Sequence, residues 1–153
     1  MIRRPSCLTV LFALIVLSTG TVAENISPGD VRIENLTISK PLTDQPGNAV
    51  EGREVFADRS LGNCLACHAN TDLKDQLFHG EVGPSLDGVA GRWSSEQLRT
   101  IVVNAKKVFT DLSVMPAFYS LEVGKNVRED LVGEPILTAQ QVEDLVAYLS
   151  TLE

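Results

Sequence analysis

Residues Cys64-Leu65-Ala66-Cys67-His68 constrain this chain more than any other feature of its 153 residues. Two thiols three positions apart, followed at once by an imidazole, form C-x-x-C-H, the attachment signature of c-type haem. The spacing has a chemical reason. Each thiol adds across one vinyl group of the porphyrin, so both must lie on one side of the macrocycle. The adjoining imidazole can then reach the iron from the proximal face. Other readings of the pair fit less well. A zinc site wants four ligands, usually with a second Cys-x-x-Cys or a His pair, and the remaining cysteine is Cys7. A redox dithiol of the thioredoxin type would follow a strand in a βαβ pattern, which is not seen here.

The compartment agrees with that chemistry. Arg3 and Arg4 give a positive start, Cys7 to Leu17 is apolar except for Thr9, and Thr21-Val22-Ala23 supplies the small residues of a cleavage site. Residues 1–23 therefore read as a signal peptide cleaved after Ala23, with export to the periplasm. The apolar run is shorter than the roughly 18–20 residues of a membrane span, and Cys7 lies inside it, not at its end as in a lipoprotein. The chain holds 13 basic and 20 acidic residues, and loss of the two leader arginines leaves 11 against 20, a charge of −9. So acidic a protein favours neither nucleic acid nor anionic membrane surfaces. Phosphate-cradling glycine patterns, H-E-x-x-H and G-x-S-x-G are all missing.

A second axial ligand should be a soft or nitrogen donor well downstream. Once Met1 leaves with the leader, Met115 is the one methionine, 47 positions after His68, in Met115-Pro116-Ala117-Phe118-Tyr119. Pro116 disfavours helix at Met115, as a loop crossing a haem edge requires. His79, the other histidine, is the alternative, and methionine also fills core gaps. Thioether ligation favours reduced iron. Between these ligands lies Gly83-Pro84-Ser85-Leu86-Asp87-Gly88-Val89-Ala90-Gly91-Arg92. A ligating histidine usually gives its other ring N–H to an acceptor that fixes the ring, and the Pro84 carbonyl is assigned that part. Arg92 is placed opposite a haem propionate.

Around this centre the periodicity predicts short helices and no strands. Residues 24–47 are polar, contain Pro28, Pro41 and Pro46, and read as an extended arm suited to packing on a partner. A first helix is predicted over about 48–58, with Ala49, Gly52, Val55 and Phe56 on one face. Gly52 costs about 1 kcal/mol inside a helix, which a close helix crossing would explain. A second helix begins at Ser94, where Ser94 and Gln97 make a capping box and Trp93 can staple onto Leu98. The last begins at Thr138 with a box to Gln141, and carries the stripe Val142, Leu145, Val146 and Leu149. The long stretch 106–135 holds Met115, and loops of such length are usually functional. The expectation is an all-α cytochrome c-like domain over 48–153, built around one covalent haem c.

Taken together, Gly52 to Phe56, C-x-x-C-H, Gly83-Pro84, Met115 and the terminal helix resemble the class I cytochromes c over roughly residues 48–152. That likeness implies that the first and last helices cross at Gly52 and Tyr148, with Phe56 and Leu145. A narrower resemblance, to the SoxX family of sulfur-oxidation cytochromes, rests on four runs. They are Gly62-Asn63 with the motif, Val82 to Ala90, Met115 to Tyr119, and Ile136 to Leu145. The resemblance implies the small subunit of a periplasmic SoxAX complex, beside a monohaem or dihaem SoxA-like partner that carries the catalytic haem. That complex is an L-cysteine S-thiosulfotransferase, coupling thiosulfate to a cysteine of the SoxYZ carrier with release of two electrons. On this resemblance Cys64 and Cys67 anchor the porphyrin, His68 and Met115 bind iron, and no residue here is catalytic. A soluble cytochrome c receives the electrons. The alternative is a stand-alone electron shuttle.

Overall fold

Asn48 starts the first helix, its side-chain oxygen accepting the Val50 N–H, and α1 runs Ala49–Ala57. This is a computed structural model, and it describes residues 24–122 and 124–153. The leader lies outside the described residues. α2 spans Ser95–Asn104 and α3 spans Ala139–Leu149, and both open with the capping boxes read from sequence, Ser94 with Gln97 and Thr138 with Gln141. Each box satisfies amides that a helix start leaves unpaired. Single 3₁₀ turns connect these helices, and no strand forms among the described residues beyond an isolated bridge between Glu34 and Thr37. The fold is all-α.

The crossing of α1 on α3 organises the molecule. At Gly52 a Cβ would lie 1.9 Å from the Asp144 carbonyl oxygen, so only a bare backbone fits. One turn on, Phe56 meets Tyr148 edge to face, with ring centroids 5.7 Å apart. The Asn48 N–H donates to Asp144 Oδ1 at 2.8 Å, tying the start of α1 to the side of α3. α2 packs against α3 through Leu98 and Val102, which are buried with Val142, Leu145 and Leu149 in the shared core.

One expectation about exposure changes. Residues 24–47 do not reach outward; they wrap their own domain, with Leu42 fully buried and Ile38 nearly so. The cause is a buried ion pair. Arg99 on α2 donates through Nε and Nη2 to the Glu143 carboxylate on α3 at 2.7 and 2.8 Å, and through Nη1 to the Ile38 carbonyl. Glu143 also accepts the Leu42 N–H. Glu143 and Asp144 are therefore buried beside the apolar stripe, because each closes a hydrogen bond of another segment. On α2, Arg99, Thr100 and Val103 are buried as well as Leu98 and Val102, the wrapped segment covering a second face; Ile101 is only partly buried.

Candidate haem site

The C-x-x-C-H run folds as one tight turn. Asn63 takes a left-handed φ of 46°, a region asparagine tolerates, and a 3₁₀ turn follows over Cys64–Ala66. The Cys67 and His68 amides both donate to the Cys64 carbonyl, at 3.0 and 2.9 Å. Cys64, Cys67 and His68 thereby line the same cavity. Burial pushes the Cys64 thiol up to about 12, with the nearby Cys67 adding to the rise.

His68 is fixed from behind. Its Nδ1 lies 2.7 Å from the Pro84 carbonyl oxygen, which can only accept, so Nδ1 carries a proton and donates it there. Gly83 presses flat on the ring: a Cβ there would sit 2.3 Å from His68 Cε1. The Gly83 amide donates to the Cys67 carbonyl and the Leu86 amide to the Ala69 carbonyl. Asp87 fastens the loop again, accepting from the Thr71 hydroxyl and amide, bonds that hold its carboxyl below the usual range. Arg92 lines the cavity, but two of its nitrogens already donate to the Asp87 and Ser85 carbonyls at 2.7 and 2.8 Å. It is thus a brace of this loop, a part that sequence reasoning did not give it.

Met115 lies on the same cavity and is partly buried. The strap that carries it continues into buried Ala117, Phe118 and Tyr119. His79 is placed otherwise. Its Nδ1 accepts the Asn70 N–H at 3.3 Å and its Nε2 donates to the Leu73 carbonyl at 3.0 Å, so both ring nitrogens are occupied by backbone. It is not among the cavity-lining residues. Trp93, expected to staple onto Leu98, meets Phe109 edge to face at 5.8 Å.

The cavity measures about 820 Å³, within the roughly 300–1,000 Å³ of small-molecule and cofactor sites. Its walls include Val89, Leu98, Val102 and Leu145, and its lining contains three arginines, Arg59, Arg92 and Arg128, and no carboxylate. Apolar walls, cations in the lining, two thiols and an imidazole match the chemistry of a porphyrin with its two acidic propionates. No cluster of three or more His, Cys, Asp or Glu side chains able to hold a metal ion occurs among the described residues. The donor set fits haem and not a bare ion.

The family model for cytochrome c matches residues 49–153, and the chain belongs to that family. It accordingly carries covalently bound haem c, and Cys64 and Cys67 fit the attachment motif of that group. Within the family, the chain is similar to one in the crystal structure of SoxXA from P. pantotrophus. The identity is 40% and the TM-score 0.77, covering 84% of this chain and 98% of that one. The SoxX resemblance read from the motifs stands on this match. A second similar structure is the c-type cytochrome SorU from Sinorhizobium meliloti, 30% identical with a TM-score of 0.45, covering 68% of this chain and 88% of that one. A search of curated proteins gave no match.

Proposed function

We propose that this chain is the electron-transfer subunit of a periplasmic SoxXA-type complex, in which Cys64 and Cys67 hold the porphyrin and His68 and Met115 bind its iron. The observation that carries the reading is that all four residues line one apolar cavity, with the His68 ring held through Nδ1 by the Pro84 carbonyl. Bound there, haem c supplies a one-electron iron couple. The Pro84 carbonyl orients the imidazole and raises its basicity. The Met115 thioether favours the reduced iron and a higher potential than a second imidazole would. The apolar walls keep water from the metal. The remaining N–H donors of Arg92 are those available to a propionate.

Residues 24–153 contain no cysteine beyond the motif pair, and both thiols are consumed by attachment. The bond between thiosulfate sulfur and the SoxYZ cysteine sulfur therefore forms on the SoxA-like partner. A haem held by Cys64, Cys67, His68 and Met115 would supply a one-electron relay for the two electrons released there, with a soluble cytochrome c as the acceptor. No described helix is long and apolar enough to cross a membrane. A docked subunit is also supported by Leu77 and Phe78, 72% and 79% exposed, beside the cavity-lining Arg59, whose guanidinium lies 5.8 Å from the Phe78 ring. Apolar exposure of this kind at a site's edge marks an interaction surface.

The test is affinity purification from the native periplasm with haem staining of whatever co-purifies. We expect a second haem protein, and reduction of this chain's haem when thiosulfate and the carrier are added. A monomer whose haem stays oxidised under those conditions would return the stand-alone shuttle.

A further inference from the structure

The strap bearing Met115 rests on the C-terminal end of α2, and the sequence of that end explains how. A helix leaves its last carbonyls without partners. Here the Phe118 N–H donates to the Val102 carbonyl and the Tyr119 N–H to the Val103 carbonyl, each at 3.3 Å, so strap amides occupy acceptors near the helix end. Asn104 then breaks the run. Its side chain caps the Lys106 N–H at 3.1 Å and starts a fresh 3₁₀ turn, Ala105–Lys107. That turn aims Lys106 back at the strap, where Nζ donates to the Met115 carbonyl oxygen at 2.9 Å.

The third bond differs from the other two. Residue 116 is proline and has no N–H, so the strap offers no amide one residue beyond Met115. Its hold on α2 between Met115 and Phe118 falls to this one charge-assisted contact, stronger than a neutral one. Lys107 points elsewhere and is exposed, whereas Lys106 is partly buried. Resting on the reading of Met115 as iron ligand, we propose that Lys106 is the positioning residue of the distal face: by fixing the Met115 carbonyl it sets the thioether toward the iron and keeps the strap closed against competing ligands.

The test uses the haem-loaded protein and added imidazole as a competitor for the sixth position. Lys106→Met keeps the apolar stem and removes the donor; Lys106→Arg keeps a donor; Lys107→Met removes a neighbouring charge only. We expect Lys106→Met to speed imidazole entry about tenfold, as loss of a hydrogen bond to a charged group would. It should also weaken the ferric thioether-to-iron absorption band and raise hydrogen exchange at the Phe118 and Tyr119 amides. Lys106→Arg should restore most of this, and Lys107→Met should change none of it. Equal effects from Lys106→Met and Lys107→Met, or unchanged entry in Lys106→Met with the band intact, would overturn the proposal alone. A wild-type protein without the thioether band would overturn the Met115 reading, and this proposal with it.

Discussion

At His68 the ring is set by two neighbours that do different things. Pro84 accepts its Nδ1 proton, while Gly83 leaves room for the imidazole by having no Cβ. At the proposed second ligand, Met115→Ala is expected to lower the reduction potential and to let the reduced iron bind carbon monoxide. Potentiometry and a carbon monoxide difference spectrum check this, and no change in either would remove Met115 as ligand. A second prediction concerns acid. The Asp72 carboxyl is held below its usual range by the Tyr148 hydroxyl and then by Arg53. A carboxyl lowered in the folded state stabilises the fold above its unfolded value near about 3.9, and that contribution fades as pH drops through the folded value. Thermal midpoints measured downward from pH 5 should therefore fall, and Asp72→Asn should flatten the fall; identical slopes would contradict it. These residues also mark where the sequence was readable. The motif declares Cys64, Cys67 and His68 because their spacing is the chemistry. The bracing bonds of Arg92 to Asp87 and Ser85 were missed because a backbone carbonyl leaves no mark in the side-chain pattern. His79 is bound to Asn70 and Leu73 in the same way.

Among the elements, the helices could be read because their starts are local. Ser94 with Gln97 and Thr138 with Gln141 act within three residues of chain, and the structure keeps both caps; Asn48 caps α1 as locally, a cap the sequence reading did not name. The crossing at Gly52 was legible for a different reason: glycine inside an otherwise good helix is costly unless another backbone needs the space. Gly52→Ala should be among the most damaging single-methyl changes in the molecule, since the added carbon meets backbone and not a movable side chain. We expect a loss of about 3 kcal/mol, the upper end for overpacking, by denaturant titration of the holoprotein. Less than about 0.5 kcal/mol, the usual size of a surface change, would show that α1 and α3 can part without cost.

Across the whole molecule, the least predictable feature is the way residues 24–47 belong to the domain. The bond from the Leu42 amide to Glu143 spans 101 positions of chain, and the Tyr119 hydroxyl reaches the Ile26 carbonyl across 93. No local pattern reports partners so distant, so a polar, proline-bearing stretch read as an extended arm with nothing to show where it packs. Removing one member of the buried pair should expose its importance. Glu143→Ala leaves the Arg99 cation buried with only the Ile38 carbonyl, and a broken buried pair costs about 3–5 kcal/mol. Limited proteolysis of that variant should cut first within 24–47, whereas the wild type should resist there; equal resistance would contradict the wrap. The Pro84 loop, α2 and the strap bearing Met115 meet on one cavity, and the account stands on what is fastened inside it. Intact-mass analysis of the exported protein in denaturant is the most direct test. The account predicts a mass increased by one haem with neither Cys64 nor Cys67 open to alkylation; a polypeptide of unmodified mass with both thiols free would contradict it.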